Sequence, residues 1–306
     1  MKILLTGALG MVGRNIVEHK FSSEHEILSP TSKELNLLDS VSVSGYVDEN
    51  EPDMVIHAAG VVGGIRANIT HPVRFLVDNM YMGLNILMAS KDCGVKRFMN
   101  FSSSCMYPRD AKNPLSEDLI LKGELEPTNE GYAIAKVAST RLCEYINREN
   151  ESYLYKTVIP CNLYGKYDKF NPEYSHMIPA VIRKINNAKN KGLRSIDIWG
   201  NGLTRREFMY AADFADFVYY AINNFETMPQ NINVGLGHDY TINEYYQKIA
   251  DIVGYQGEFI HDLSRPTGMQ QKLINNIRLK EFGWKYRTSL EHGIQQTYDY
   301  FLSKVK

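Results

Sequence analysis

Two rhythms of apolar and polar positions run through the first half of the chain. Short unbroken apolar runs, "KILLTG" (Lys2 to Gly7), "DMVIHAAG" (Asp53 to Gly60), "RFMNFSSS" (Arg97 to Ser104) and "YKTVIPCNLYG" (Tyr155 to Gly165), read as buried strands. Between them, "MVGRNIVEHK", "VRFLVDNMYMGLNILMASKDCG" and "GYAIAKVASTRLCEYINREN" repeat apolar residues at helical spacing. Strands separated by such helices imply βαβ units with right-handed crossovers. The expected fold class is α/β, a doubly wound parallel sheet covered on both faces.

After Gly165 the rhythm loosens. "GKYDKFNPEYSH" reads as loop, and the later strands "SIDIWG", "INVG" and "EFIHD" are shorter. A smaller mixed α/β lobe is expected here, entered more than once. Residues 1–165 should form the larger domain, with returns near 203–232 and 286–306, and 166–202 with 233–285 the lobe. The final amphipathic stretch, "SLEHGIQQTYDYFLSKV", should pack back on the main body.

Composition narrows the function classes. The 306 residues are 44% hydrophobic and 23% charged, as in an ordinary soluble globular protein. A net charge of -1 provides no global field for nucleic acid or anionic membrane, so an anionic ligand must be held by local charges. The opening "MKILLTGALGMVG" is broken by glycine too early for a secretory core or a membrane span. Cys93, Cys105, Cys143 and Cys161 lie far apart with no CxxC pair. That argues against a zinc or other metal site and against a disulfide framework, and it fits a reducing cytosol.

"LLTGALGMVG" sets Gly7, Gly10 and Gly13 between the first strand and the first helix. Glycines there permit unusual dihedrals and let backbone N–H groups, those of Met11, Val12 and Gly13 among them, approach a pyrophosphate at the helix N-terminus. A structural turn would use glycine too, but the position straight after a strand is what a Rossmann-like dinucleotide site requires. Further on, Asp39 can accept a hydrogen bond from adenine or cap the helix "SVSVSGYV". Small Ala58 and Ala59 in "HAAG" allow a flat cofactor to lie against the backbone, with His57 a packed strand-end residue.

"YAIAK" puts Tyr132 and Lys136 on one helix face. A phenol titrates near ~10, so a nearby ammonium is expected to lower it toward use at neutral pH. The same Lys136 can hydrogen-bond a ribose hydroxyl. Between this pair and the glycine turn lies "FSSSCMYP" (Phe101 to Pro108), three serines and a cysteine at the end of a buried strand. Either those groups are satisfied locally or they face a reaction cavity.

With these residues in place the chain resembles the extended short-chain dehydrogenase/reductases, and within them the branch of the GDP-L-fucose synthases, epimerase-reductases of GDP-4-keto-6-deoxymannose. "ELNLLD", "VGGIRAN", "SSSCMYP", "LEPTNEGYAIAK", "PCNLYG", "SHMIPA", "RREF" and "RLKEFGW" carry the resemblance in order along almost the whole chain. It implies that Ser103 holds the C4 oxygen of a sugar beside Tyr132, which protonates it as hydride arrives. Cys105 acts as base at C3 and C5, and His176 as acid from the other face. A thiolate suits that task if the thiol titrates below ~8.5. Arg206 and Lys272 are implied to touch the diphosphate or the sugar, with Ser104, Asn162 and Trp199 shaping the substrate wall. A homodimer built on the helices that contain "VRFLVDNMYMGLNILMAS" and "GYAIAKVASTRLCEYINR" is implied as well. For single residues plainer readings remain: Cys105 an inert buried thiol, His176 a cap for "MIPAVIRKI", Arg206 and Lys272 solvated surface.

Two departures bear on the details. Bacterial relatives carry Arg in the glycine turn and after the second strand, suited to the 2'-phosphate of NADP. Here those places hold Leu9 and "SPTSK", leaving Lys33 with Ser29, Thr31 and Ser32 for the phosphate. NADPH is expected over NADH. The "GPHDNF" of the branch becomes "GKYDKF" (Gly165 to Phe170), close to His176. Alternatives are therefore a C4 reductase of a GDP-4-keto-heptose without epimerisation and a non-catalytic nucleotide sensor.

Overall fold

The computed structural model describes residues 1–171, 175–265 and 268–304. Six parallel strands form the main sheet: β1 (Lys2–Thr6), β2 (Glu26–Leu28), β3 (Met54–His57), β4 (Arg97–Phe101), β5 (Leu154–Pro160) and, after four short strands of the second half, β10 (Asn231–Val234). Their spatial order is β2-β1-β3-β4-β5-β10. The chain leaves β1 in one direction and returns to its other side with β3. This reversal opens a crevice at the carboxyl ends of β1 and β3, where α/β sheets bind ligands.

Alternation along the strands fills both faces. Leu4, Val55, Phe98 and Tyr155 point to one side, where they pack with Val43 and Val47 of α2 (Ser40–Asn50), Ile86 and Leu87 of α4 (Pro72–Asp92) and Ile146 of α5 (Glu130–Glu149). Ile3, Ile56, Met99 and Val158 point to the other, against Ile16 of α1 (Met11–Val17) and Phe214, Phe217 and Val218 of α7 (Ala211–Asn223). The short α3 (Ile65–Thr70) precedes α4. Pro72, with its fixed φ, opens α4 at the position where its missing N–H costs nothing. Helices α4 and α5 touch closely: a Cβ on Gly83 would lie 2.3 Å from Ser139 Oγ.

The second half builds a lobe around α6 (Met177–Asn190), α8 (Ile242–Val253) and α10 (Leu290–Lys304). Parallel pairs β6 (Asn162–Tyr164) with β9 (Phe208–Tyr210) and β7 (Ser195–Trp199) with β12 (Glu258–Asp262) flank it. A three-stranded sheet, β11-β8-β13, joins Tyr240–Thr241, Arg205–Arg206 and Gln271–Lys272.

Three expectations need correction. The stretch "YKTVIPCNLYG" is two strands, because Pro160 has no N–H to extend the ladder and the chain swings away to pair with β9. "INVG" belongs to the main sheet as β10, beside β5. The division of the tail is reversed: Leu290, Ile294, Tyr298 and Phe301 of α10 pack into the lobe, whereas Leu279, in α9 (Ile277–Phe282), and Trp284 join the main core. An amphipathic pattern specifies a buried face but not the surface that buries it.

Candidate active site

The glycine turn has the shape of a cradle. Gly7 has φ +75°, and a Cβ there would sit 2.6 Å from Ala59 N and 2.7 Å from Ala58 C. A Cβ on Gly13 would meet Gly7 O at 2.3 Å and Ala8 Cα at 2.5 Å. Only glycine fits these two positions. Gly10 is more tolerant, its Cβ 3.3 Å from Gly7 O, and its N–H donates to that oxygen at 3.0 Å. It caps α1 with no side chain over the helix end, and the first helical bond runs from Arg14 N to Gly10 O at 2.9 Å. The amides of Met11, Val12 and Gly13 therefore precede the helical ladder. This bare turn at the switch point fits the pyrophosphate of a nicotinamide dinucleotide. Beside it His57 is buried, its Nδ1 2.8 Å from Thr6 Oγ1, and burial and the Lys136 charge push its pKa down to about 3. It is a neutral packing residue.

At the adenosine end Asp39 takes the capping role: its Oδ1 accepts from Val41 N at 3.0 Å and Ser42 N at 3.3 Å. Lys33 is exposed. The Thr31 amide donates to the Glu34 carboxylate at 2.7 Å, so one group in the stretch suited to a phosphate is already engaged.

The serines of "FSSSCMYP" divide by role. Ser102 and Ser104 are buried, and Ser102 Oγ is spent on Met106 Sδ. Ser103 caps the single turn Ser104–Met106, its Oγ accepting from Cys105 N at a long 3.4 Å. Lys136 points inward, and its Nζ donates to the Phe101 carbonyl at 2.9 Å. Asn79 grips both polar groups of Val61, at 2.9 Å and 3.1 Å, and so holds the Gly60 loop against Lys136.

The electrostatics correct two expectations. Burial, with a smaller push from Cys105, raises the Tyr132 phenol rather than lowering it. The ammonium is tied to Phe101 O and lies 5.7 Å from the Tyr132 ring centre, and burial draws Lys136 down to about 8. Burial also raises the Cys105 thiol, against the pull of Lys272, Ser103 and Lys136. Both groups rest protonated. For Tyr132 that is the form a proton donor needs.

Across the cleft, β8 and β13 run parallel with Arg205 opposite Gln271 and Arg206 opposite Lys272. Asp239, buried, accepts from Arg205 Nε at 2.7 Å and Gln271 Nε2 at 2.6 Å. That carboxylate neutralises the first pair. Arg206 and Lys272 are left as cross-strand neighbours of like charge, and burial lowers the pKa of both. Glu126 and the Cys105 sulfur lie within electrostatic reach of Lys272 and oppose that lowering. Asn162 is fixed on β6 by its Nδ2 bond to Glu207 O at 2.9 Å. Trp199, half exposed at the end of β7, has the Arg265 guanidinium 5.2 Å over its ring.

His176 caps α6 without a capping bond from its side chain. The preceding Ser175 carbonyl packs on Gly64, where a Cβ would lie 3.2 Å away. His176 Nδ1 is 3.9 Å from Oδ1 of Asp168. In the same loop, Lys166 Nζ reaches Glu18 Oε2 of α1's C-cap at 2.8 Å, Tyr167 OH bonds the same carboxylate, and Asn15 Nδ2 donates to Lys166 O at 3.1 Å. Sequence reasoning named His176 but missed Asp168, Glu126 and Asn79. Asp168 was the one with a signal, being common to "GPHDNF" and "GKYDKF".

The geometry can be set beside known proteins. The sequence profile of the NAD dependent epimerase/dehydratase family matches residues 3–235. A GDP-L-colitose synthase of Yersinia pseudotuberculosis is 59% identical over 304 residues, 99% of each chain. A GDP-L-fucose synthase of Azorhizobium caulinodans is 47% identical, over 99% of this chain and 96% of its own. The solved structure of a GDP-mannoheptose C4 reductase from Campylobacter jejuni with NADP bound superposes with a TM-score of 0.88 at 29% identity, covering 98% of both. By glycine cradle, Tyr–Lys pair and full-length similarity, the chain belongs to the NAD dependent epimerase/dehydratase family.

Proposed function

We propose that the protein reduces C4 of a GDP-linked 4-keto-6-deoxyhexose with NADPH, after epimerising carbon beside the ketone. The observation that carries this reading is the Arg206–Lys272 pair, whose Lys272 lies within electrostatic reach of Cys105, a neighbour of the Tyr132–Lys136 centre. Two adjacent cations, with Glu126 in electrostatic reach of both, suit a diphosphate or its attached sugar. The bound coenzyme supplies hydride. Ser103 Oγ and the Tyr132 hydroxyl meet the C4 oxygen, and Tyr132, kept neutral by burial, donates its proton as alkoxide forms. Lys136 orients the ribose, and its ammonium offsets the negative charge left on the Tyr132 phenolate. Cys105, once its thiol has given its proton to water, takes the carbon-bound proton next to the ketone as a thiolate that the Lys272 and Lys136 charges stabilise. His176 returns a proton from the opposite side.

Identities of 59% and 47% to the colitose and fucose synthases favour a hexose over the heptose of the 29% identical reductase. The apolar residues Val73, Val77, Tyr81 and Met88 of α4 and Ile134 and Tyr145 of α5 are exposed, which supports a homodimer across these helices. The four cysteines are free, which supports the cytoplasm. Among the described residues no helix is long and apolar enough to cross a membrane.

The test offers purified protein a panel of GDP-4-keto hexoses and heptoses with NADPH and identifies products by NMR. A C4-reduced hexose inverted beside the ketone is expected. Turnover of heptoses alone, without inversion, would transfer the assignment to the simple reductase. No loss of reduced-nicotinamide absorbance with any sugar would leave the sensor.

A further inference from the structure

We propose that Asp168 is a positioning residue for His176, its buried carboxylate accepting from Nδ1–H of the imidazolium so that Nε2–H faces the sugar as proton donor. This rests on His176 being the acid of the epimerisation. The departures in the loop that carries Asp168 fall on Lys166, Tyr167 and the exposed Lys169. Lys166 and Tyr167 are sewn to α1 through Glu18 and Asn15, and the Arg14 guanidinium lies 5.0 Å over the Tyr167 ring. Between these outward residues and Phe170, Asp168 points in. Its side chain is 5% exposed. Oδ1 accepts from Lys169 N at 2.7 Å, and Oδ2 is buried with no hydrogen-bond partner among the described residues.

A carboxylate in that state is costly unless something brings it a proton donor or a positive charge. The ring that stands next to it is His176, with Nδ1 3.9 Å from Oδ1. That is ion-pair range but too long for a hydrogen bond, and a small ring rotation closes it. Catalytic hydrogen bonds are commonly loose before substrate enters and tighten in the complex. Once Nδ1–H is pinned by a carboxylate, the direction of Nε2 is fixed, and the carboxylate favours the imidazolium, the form in which Nε2 also carries a proton to give. His176 makes no capping bond of its own to the α6 terminus, so the helix end does not hold the ring. The anchored strap on α1 keeps Asp168 in place while the ring moves.

Two measurements on the full-length protein test this. With histidine ring nitrogens labelled, His176→Gln identifies the His176 resonances, and Asp168→Asn should shift them from the imidazolium toward a neutral ring of mixed tautomers while leaving the other rings unchanged. In D2O with a GDP-4-keto-6-deoxyhexose and no NADPH, Asp168→Asn should slow deuterium entry beside the ketone by roughly tenfold or more. Oxidation of the C4-reduced product by NADP, which needs only Ser103, Tyr132 and Lys136, should hold near the wild-type rate, and Asp168→Glu should recover part of the exchange. Unshifted His176 resonances in Asp168→Asn, or unslowed exchange, overturns the proposal while His176→Gln still loses exchange. If Asp168→Asn loses product oxidation in equal measure, the residue is a structural support and the proposal fails. If His176→Gln exchanges like wild type, or wild type does not exchange at all, the acid itself is wrongly assigned and the proposal falls with it.

Discussion

Arg206 and Lys272 stand opposite each other across the parallel β8–β13 pair, two cations in register. Like charges so placed repel. The neighbouring pair, Arg205 and Gln271, is bridged by Asp239. Lys272→Met should therefore raise KM for the GDP-sugar about tenfold or more, in the range of a lost charge-assisted bond. In the ligand-free protein it should raise Tm slightly, because the repulsion is gone. A Tm that falls, with KM unchanged, would make Lys272 a structural residue.

Tyr132→Phe should nearly abolish reduction with little loss of coenzyme affinity. The phenol acts at the reacting oxygen, whereas the coenzyme is gripped at the bare turn of Gly7 and Gly13. Stopped-flow hydride transfer measures it. Retention of more than about a tenth of the wild-type rate, or about 1.4 kcal/mol of barrier, would mean that another group is the acid.

NADPH should be preferred over NADH only modestly. Lys33 is exposed, and Glu34 occupies the Thr31 amide with a negative charge. Glu34→Gln should widen the preference in kcat/KM, and Lys33→Ala should narrow it. A wild-type preference for NADH would overturn the assignment.

Glu207 titrates in a way that stability can report. Burial lifts it from 4.5 to about 7, although its carboxylate accepts from Leu236 N, Gly237 N and Ile274 N. Its folded value is raised, so between 4.5 and about 7 the folded protein holds a proton that the unfolded chain has released. The resulting stability is fully present below that window and lost as pH rises through it. Glu207→Gln does not titrate. Urea unfolding of both proteins should show the wild type losing ground to the variant as pH rises across the window, and parallel profiles would refute it.

Tyr81 and Tyr145, exposed on α4 and α5, should lie in a dimer seam. Light scattering should return a dimer for wild type and a monomer for Tyr81→Glu. A wild-type monomer at micromolar concentration would count against the seam.

The parts of this site that are local in sequence were legible there. Gly7, Gly10 and Gly13 announce a turn, and Tyr132 and Lys136 share a helix face because a helix turns at a fixed rate. What spacing does not convey is desolvation. The same spacing that brings Lys136 near Tyr132 says nothing of the Phe101 carbonyl that claims the ammonium, so the phenol was expected to fall and instead rises. Arg206 with Lys272, and Asp168 with His176, are neighbours only through strand register and loop packing. The tail was misplaced for a similar reason, since the apolar stripe of α10 suits either body and only the cavity between α6 and α8 decides.

Gly83 is far from the substrate in every chemical sense, yet its missing side chain lets α4 touch α5, with only 2.3 Å between a notional Cβ and Ser139 Oγ. Ser139 and Lys136 both face the buried side of α5, so any wedge at Gly83 tilts the helix that aims the ammonium. In a library of all single substitutions, Gly83 should be as intolerant as Tyr132. A map of mutational tolerance would thus mark as essential a residue that has no atom to contribute to the reaction.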